Sequence, residues 1–220
     1  MIKINLLLIS TFLFCMLFAG CDKKGTATDI DGNVYQTIVI GGQEWMSENL
    51  KTTRYRDGTP IPNVKDAAEW EDVTTGAWSN YNHDAANDAV YGKLYNWYAV
   101  EDSPGLCPEG WHVPADDEWS ELIENLGGDK TAGCAMKETG TSHWESPNTC
   151  ATNKSGFTAL PAGYRDPSGF VNLGRHGAWW STAENNAERG WFRTINYNNA
   201  LVLRLFTSKK NELSVRCVKD

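Results

Sequence analysis

Between residues 116 and 126 apolar side chains return every three or four positions: Trp119, Leu122, Ile123 and Leu126 form one stripe of an amphipathic helix. Asp116, Asp117 and Glu118 stand at its start, where the helix dipole favours negative charge, and Gly127-Gly128 stop it. Tyr91, Leu94, Tyr95 and Tyr98 repeat at the same spacing and predict a short helix over Tyr91–Val100 with its aromatic face in the core. Elsewhere the pattern is that of strands. Val34–Ile40 is rich in β-branched and aromatic residues, Gly41-Gly42 turns the chain, and Gln43–Glu48 returns as the second arm of a hairpin. From residue 157 the chain becomes strand-like again, with a turn at Arg165–Gly169. Strands are predicted at 177–182, 190–196, 201–206 and 213–218, with turns at Asn198-Asn199 and after Lys209. Two polar stretches, 51–89 with Trp70 and Trp78 as anchors and 129–156, read as irregular excursions. The class expected is α+β: an N-terminal hairpin, two short helices, a small antiparallel sheet and long irregular loops.

The first 20 residues follow another logic. Lys3, an apolar run from Leu6 to Phe18, and Leu17-Phe18-Ala19-Gly20-Cys21 match an export signal ending in a lipoprotein cleavage box. The expected organisation is a signal peptide over 1–20, a tether over 21–28 with Cys21 carrying the lipid, and one domain over 29–220. The run is too short for a spanning helix, so lipid chains would hold the protein to the bacterial envelope, at the outer membrane or cell surface. Asp22 bears on sorting, but the sequence does not assign a leaflet.

About 200 residues remain, enough for one sizeable core. Loss of Lys3 with the signal takes the formal charge from −8 to −9. An acidic chain with no basic cluster excludes nucleic acid as a partner class. Besides Cys21 the exported chain holds Cys107, Cys134, Cys150 and Cys217, an even set that reads as two disulfides in an oxidising compartment. Three connectivities exist. Cys134 and Cys150 share one loop-like insertion, so local closure pairs them and leaves Cys107 for Cys217. The chain-entropy model assigns about 4–5 kcal/mol to the long loop and roughly 3 to the short one. The isolated His83, His112, His143 and His176 show no zinc-ligand spacing with these cysteines. Asp29-Ile-Asp-Gly-Asn33 begins like a calcium loop, but the twelfth position, where a Glu is needed, is Ile40. No cofactor is expected, although the acidic loops leave room for a structural calcium.

Several phrases together resemble a bacterial family, the major paralogous domain abbreviated FISUMP. They are Asp31–Tyr35, Ile40–Lys51, Tyr91–Trp97, Cys107–Pro114, Leu160–Arg165, Trp179–Ser181 and Ser214–Val218, in that order. The family brings no established catalytic residue or ligand to this chain. The order of elements, and a Cys ahead of the 116–126 helix paired to one in the last strand, is similar to the C-type lectin-like fold. Formylglycine-generating enzymes share that broad architecture and an Arg-Cys ending.

Three function classes follow. The first is a non-catalytic envelope module that binds a glycan or a surface protein. Ten Trp and eight Tyr supply flat faces for sugar rings, and the best patch joins Trp179 or Trp180 to Asn185, Asn186, Arg193, Asn196 and Asn198. Neighbouring strand residues face opposite ways, so only one of Trp179 and Trp180 is expected in the core. The tripeptides of calcium-dependent sugar binding are absent, Glu145-Ser-Pro-Asn148 being only a near miss. The second class, an enzyme, lacks the usual nucleophile, metal and phosphate motifs. His112 is read as a hydrogen-bonding turn residue rather than a base, and two carboxylates for glycoside hydrolysis are not identifiable among 28 acidic residues. The third class is an assembly subunit of a surface complex or adhesin.

Overall fold

The computed structural model describes residues 25–220; the cleavage box and Cys21 lie outside the described residues. β1 (Thr26–Thr28), β2 (Val34–Ile40) and β3 (Gln43–Met46) run antiparallel, and the hairpin turn falls at Gly41-Gly42, where both residues take positive φ. Asp29 fastens the entry to β2: its carboxylate accepts hydrogen bonds from the Asp31 and Asn33 amides and from the Tyr35 hydroxyl.

The 91–100 stretch is not one helix. α1 (Ala67–Asp72) and β4 (Trp78–Ser79) lie in the preceding excursion, and α2 (Ala86–Tyr91) ends at Gly92, whose φ is 73°. β5 (Leu94–Asn96) then interrupts before α3 (Trp97–Glu101), which Asn96 caps by accepting the Ala99 amide. The cause is tertiary. β5 is hydrogen-bonded between two strands, and Leu94 and Tyr95, which face opposite ways, are both buried because Leu94 packs with Tyr81 and Ala162 and Tyr95 joins the core around Trp97 and Trp180.

After β6 (Trp111–His112), α4 (Asp116–Asn125) buries Trp119, Leu122 and Ile123 as the stripe predicts. Glu118 accepts the Ala115 amide, half of a capping box, and Gly127 and Gly128 close the helix with positive φ. α5 (Ala132–Met136) follows, making five α-helices among the described residues where the sequence suggests two.

The last third is mostly sheet: β7 (Ala162–Asp166), β8 (Gly169–Leu173), β9 (His176–Asn186), β10 (Arg189–Asn196), β11 (Val202–Ser208), β12 (Glu212–Ser214) and β13 (Val218–Lys219). The 213–218 strand of the sequence reading divides. β12 lies in the larger sheet, order β11-β10-β9-β12-β5-β4, and β13 in the smaller, order β1-β2-β3-β13-β6. The crossing residues stitch the two together, Val215 accepting the Leu50 amide and Cys217 that of Met46. The larger sheet is not wholly antiparallel, since β12 runs parallel to β9 with Ser214 opposite Trp179. Cys107–Cys217 and Cys134–Cys150 are both bonded, the pairing read from the sequence.

Around β9 both faces of the larger sheet are covered. Trp180 packs with Trp97, Tyr95 and Leu213 on one side, Trp179 with Trp119, Phe157 and Trp45 on the other. The expectation that only one of the two tryptophans is core therefore fails: each is fully buried, in a different core.

Candidate functional site

The proposed glycan patch does not assemble. Trp179 donates its indole N–H to Asn49 Oδ1 (2.8 Å) and Trp180 to the Tyr95 carbonyl (2.7 Å), so neither offers a face to solvent. Arg193 is buried too, 2.8 Å from Asp116 and donating to the Asp116 carbonyl and Ser120 hydroxyl, which ties β10 to α4. Asn185 and Asn186 sit at the β9–β10 turn, whereas Asn196 ends β10 at its other end and Asn198 follows it. Seven strand steps, roughly 24 Å, separate the two pairs. Eight of the ten tryptophans are buried. The remaining two carry cations on their rings, Lys93 over Trp78 and Arg204 over Trp191, the latter at 3.4 Å from the ring centre. A cation thus covers one face of each of the two partly exposed tryptophans.

One sequence candidate, Asn196, does line a cleft of about 400 Å³. The cleft lies on the Trp180 face of the sheet, walled by β7 and floored by β10 and β11. Phe192, Leu203 and Leu205 form the floor, for Phe192 pairs with Leu205 in register and Thr194 with Leu203. Leu201, Leu203 and Leu205 are 37, 42 and 43 % exposed. Polar groups ring this apolar surface. Asn196 donates to His176 Nε2 (2.9 Å), which burial and the nearby Arg175 hold below the ordinary histidine pKa, so the ring is a neutral acceptor at pH 7. Asn211 donates to Thr207 Oγ1 (2.7 Å), while its buried Oδ1 has no protein partner among the described residues.

The far rim is held from below. Lys137 is completely buried, and its ammonium donates to the carbonyls of Thr149, Asn196 and Asn199 at 2.8, 3.2 and 2.9 Å. Burial pushes its pKa down to about 8. With Thr149 donating to the Tyr197 carbonyl, the Cys134–Cys150 loop thus fixes the 196–199 turn that carries two lining asparagines.

His112 lies away from the cleft. Its ring bridges Asp220 (2.6 Å) and Glu118 (2.8 Å), joining β6, the chain end and α4. Burial alone would lower its pKa, but the hydrogen bonds to Asp220 and Glu118 outweigh it and hold the pKa above the ordinary value. This is the hydrogen-bonding role read from the sequence. Among the described residues no three His, Cys, Asp or Glu side chains converge to hold a metal ion.

The sequence reading missed the leucine floor. Leu201–Phe206 looks like a uniformly buried strand, and only Arg204 within it hints that the strand borders solvent. The segments that carry the family resemblance converge elsewhere. Asn49 Oδ1 accepts from both Trp179 and Arg216 (2.9 Å), and Asn49 Nδ2 donates to the Tyr91 carbonyl and Ser214 hydroxyl. Arg216, wholly buried and stacked on Phe157 with no carboxylate in contact among the described residues, has its pKa pushed down to about 9 by burial. Four of the seven segments thus meet at one amide. Neither a curated protein nor a solved structure matches the chain. The family described as the Fibrobacter succinogenes major domain matches residues 38–219, which take in six of those segments whole, and the chain belongs to that family.

Proposed function

We propose that this protein is a non-catalytic binding module of the bacterial cell envelope, anchored by lipid on Cys21, that seats part of a surface protein in the β7–β11 cleft. The observation that carries the reading is the leucine lining: Leu201, Leu203 and Leu205, each more than a third exposed, inside a polar-rimmed cleft of ligand-binding size. Aliphatic side chains suit an apolar peptide segment better than a sugar, and the covered tryptophans remove the main support for a glycan. The anchor rests on the Leu17–Cys21 box, and the two disulfides accord with export. The fold is proposed to be C-type lectin-like, on the grounds that Cys107 ahead of α4 is bonded to Cys217 beside the last strand and that hairpin, helices and sheet follow in that order.

Residues 25–220 contain every described element and both disulfides, and serve for the test. The protein and its Leu203→Asp variant are screened on a peptide array and a glycan array, each with calcium and with chelator. Peptide binding that the variant abolishes is expected. Glycan binding that Leu203→Asp leaves intact would overturn the reading and return carbohydrate to first place.

A further inference from the structure

β11 is the last strand of its sheet, and half of its outer edge is unused. The Val202 amide donates outward, to the Asp129 carbonyl (2.8 Å), rather than to β10. Antiparallel ladders alternate, so Val202, Arg204, Phe206 and Ser208 turn their backbone groups outward, while Leu203, Leu205 and Thr207 bond β10. The Lys209 amide donating to the Glu188 carbonyl keeps the same parity. Asp129 occupies the edge at Val202, and the Asn211 amide occupies the Ser208 carbonyl. Between these plugs the N–H and C=O of Arg204 and Phe206 have no protein partner among the described residues. Leu203, Leu205 and Phe206 are all exposed there, and Leu205 faces the cleft. An edge this apolar, with no proline and, among the described residues, no covering segment, is a template for another strand.

We infer that the occupant of the cleft is an extended segment of a partner protein that adds to β11 as a further strand, with alternating aliphatic and acidic side chains. This rests on the reading of the cleft as a binding site, and deepens it. The residue opposite Leu205 points its side chain over the leucine floor, which favours an aliphatic one. Residues opposite Arg204 and Phe206 point to the other face, where Arg189 lies over Phe206 and Arg204 over Trp191. On that face Asp116 serves both Arg193 and Arg204 at 2.8 Å, one carboxylate for two guanidiniums, with Arg189 close by. A carboxylate opposite Arg204 completes the pairing. A second copy of the chain suits the edge less well. A two-fold register centred on Arg204 sets two arginines opposite each other, and one centred on Leu205 brings Ser208 of one copy against Asp129 of the other.

The probe is a fluorescein-labelled octapeptide of alternating valine and glutamate, titrated into residues 25–220 and followed by anisotropy. Three further peptides accompany it: one N-methylated at every glutamate, one at every valine, and one with lysine in place of glutamate. In antiparallel addition the glutamate amides face β11 and the valine amides face away. Saturable binding is expected that weakens at least tenfold with N-methyl-glutamate or with lysine, but less than threefold with N-methyl-valine. Amide exchange at Arg204 and Phe206 slows on binding. Leu205→Lys, at an exposed position, abolishes binding and leaves the melting temperature unchanged. Equal binding by both N-methylated peptides, still sensitive to Leu205→Lys, would overturn strand addition while keeping the cleft as the binding site. Binding indifferent to Leu205→Lys would overturn both. No binding by the valine–glutamate peptide rejects the proposed side-chain pattern, and dimerisation of the chain lost in the same variant identifies a second copy as the occupant.

Discussion

Replacing Asn49 by alanine tests the node at which the family segments meet. The side chain is buried and makes four hydrogen bonds, two of them accepted at Oδ1 from Trp179 Nε1 and Arg216 Nη2. Both donors are completely buried, so water does not replace the lost acceptor. An orphaned buried donor costs about 1–3 kcal/mol, and a charged one lies at the upper end. The indole and guanidinium together therefore give about 4 kcal/mol, before any cavity term. Against a total stability of about 5–15 kcal/mol this is a large fraction. Urea unfolding followed by tryptophan fluorescence should show the midpoint falling by roughly 1.3–2 M with an unchanged slope, taking a slope of about 2–3 kcal/mol/M. In a Trp179→Phe background, where the indole donor is already gone, Asn49→Ala should cost about 1–2 kcal/mol less. A loss below about 1 kcal/mol, or no coupling between the two substitutions, would show that the amide is replaceable and the reasoning wrong.

Two further predictions concern stability. Glu212 is fully buried beside Ser79 and 3.6 Å from Arg165, and burial, against the lowering effect of those two partners, raises its pKa to about 8. The folded state thus holds a proton that the unfolded chain releases near pH 4.5, so this stabilisation is complete below pH 4.5 and lost as pH rises towards 8. At 1.36 kcal/mol per pH unit it is at most about 5 kcal/mol. Glu212→Gln, which mimics the protonated acid, should flatten the fall in stability between pH 5 and 8, and identical slopes for variant and parent in urea melts would refute the assignment. Replacing Cys134 and Cys150 together by serine should cost about 3 kcal/mol. Because Lys137 links that loop to the 196–199 turn, amide exchange at Tyr197 should accelerate more than at core positions such as Trp119; unchanged protection at Tyr197 would contradict the link.

What the sequence reveals and what it hides divide along the reach of the interactions. The α4 stripe, the Gly41-Gly42 hairpin and the Cys134–Cys150 closure depend on neighbours at most 16 residues apart in the chain, and all three are legible. The 91–100 segment shows the opposite case. Its helical spacing is real, but Gly92 stops the helix and the pairing of β5 with β12, some 120 residues away, decides the outcome. Trp179 and Trp180 mislead for a related reason. Alternation correctly places them on opposite faces of the sheet, but nothing local reveals that the second face is also covered, by Trp97 and the strands around Tyr95. The cleft is hidden because its floor is composed like a core: only the position of β11 at the end of the sheet turns Leu203 and Leu205 towards solvent.

The same division separates frame from function. Asn49, Trp179 and Arg216 come from segments that carry the family resemblance, and they are spent on a buried node that touches no cleft. Leu201, Leu203 and Leu205 belong to none of those segments, and they form the accessible apolar surface of the cleft. The frame reaches the cleft through single side chains: Tyr164 in its wall and Leu213, the neighbour of Ser214, beneath it. On the proposed reading of the cleft, such a chain changes what it binds by altering β11 without disturbing the node. Exchanging Leu203 and Leu205 for polar residues should therefore alter binding while leaving the unfolding midpoint nearly unchanged, whereas Asn49→Ala should lower the midpoint without changing which peptides bind.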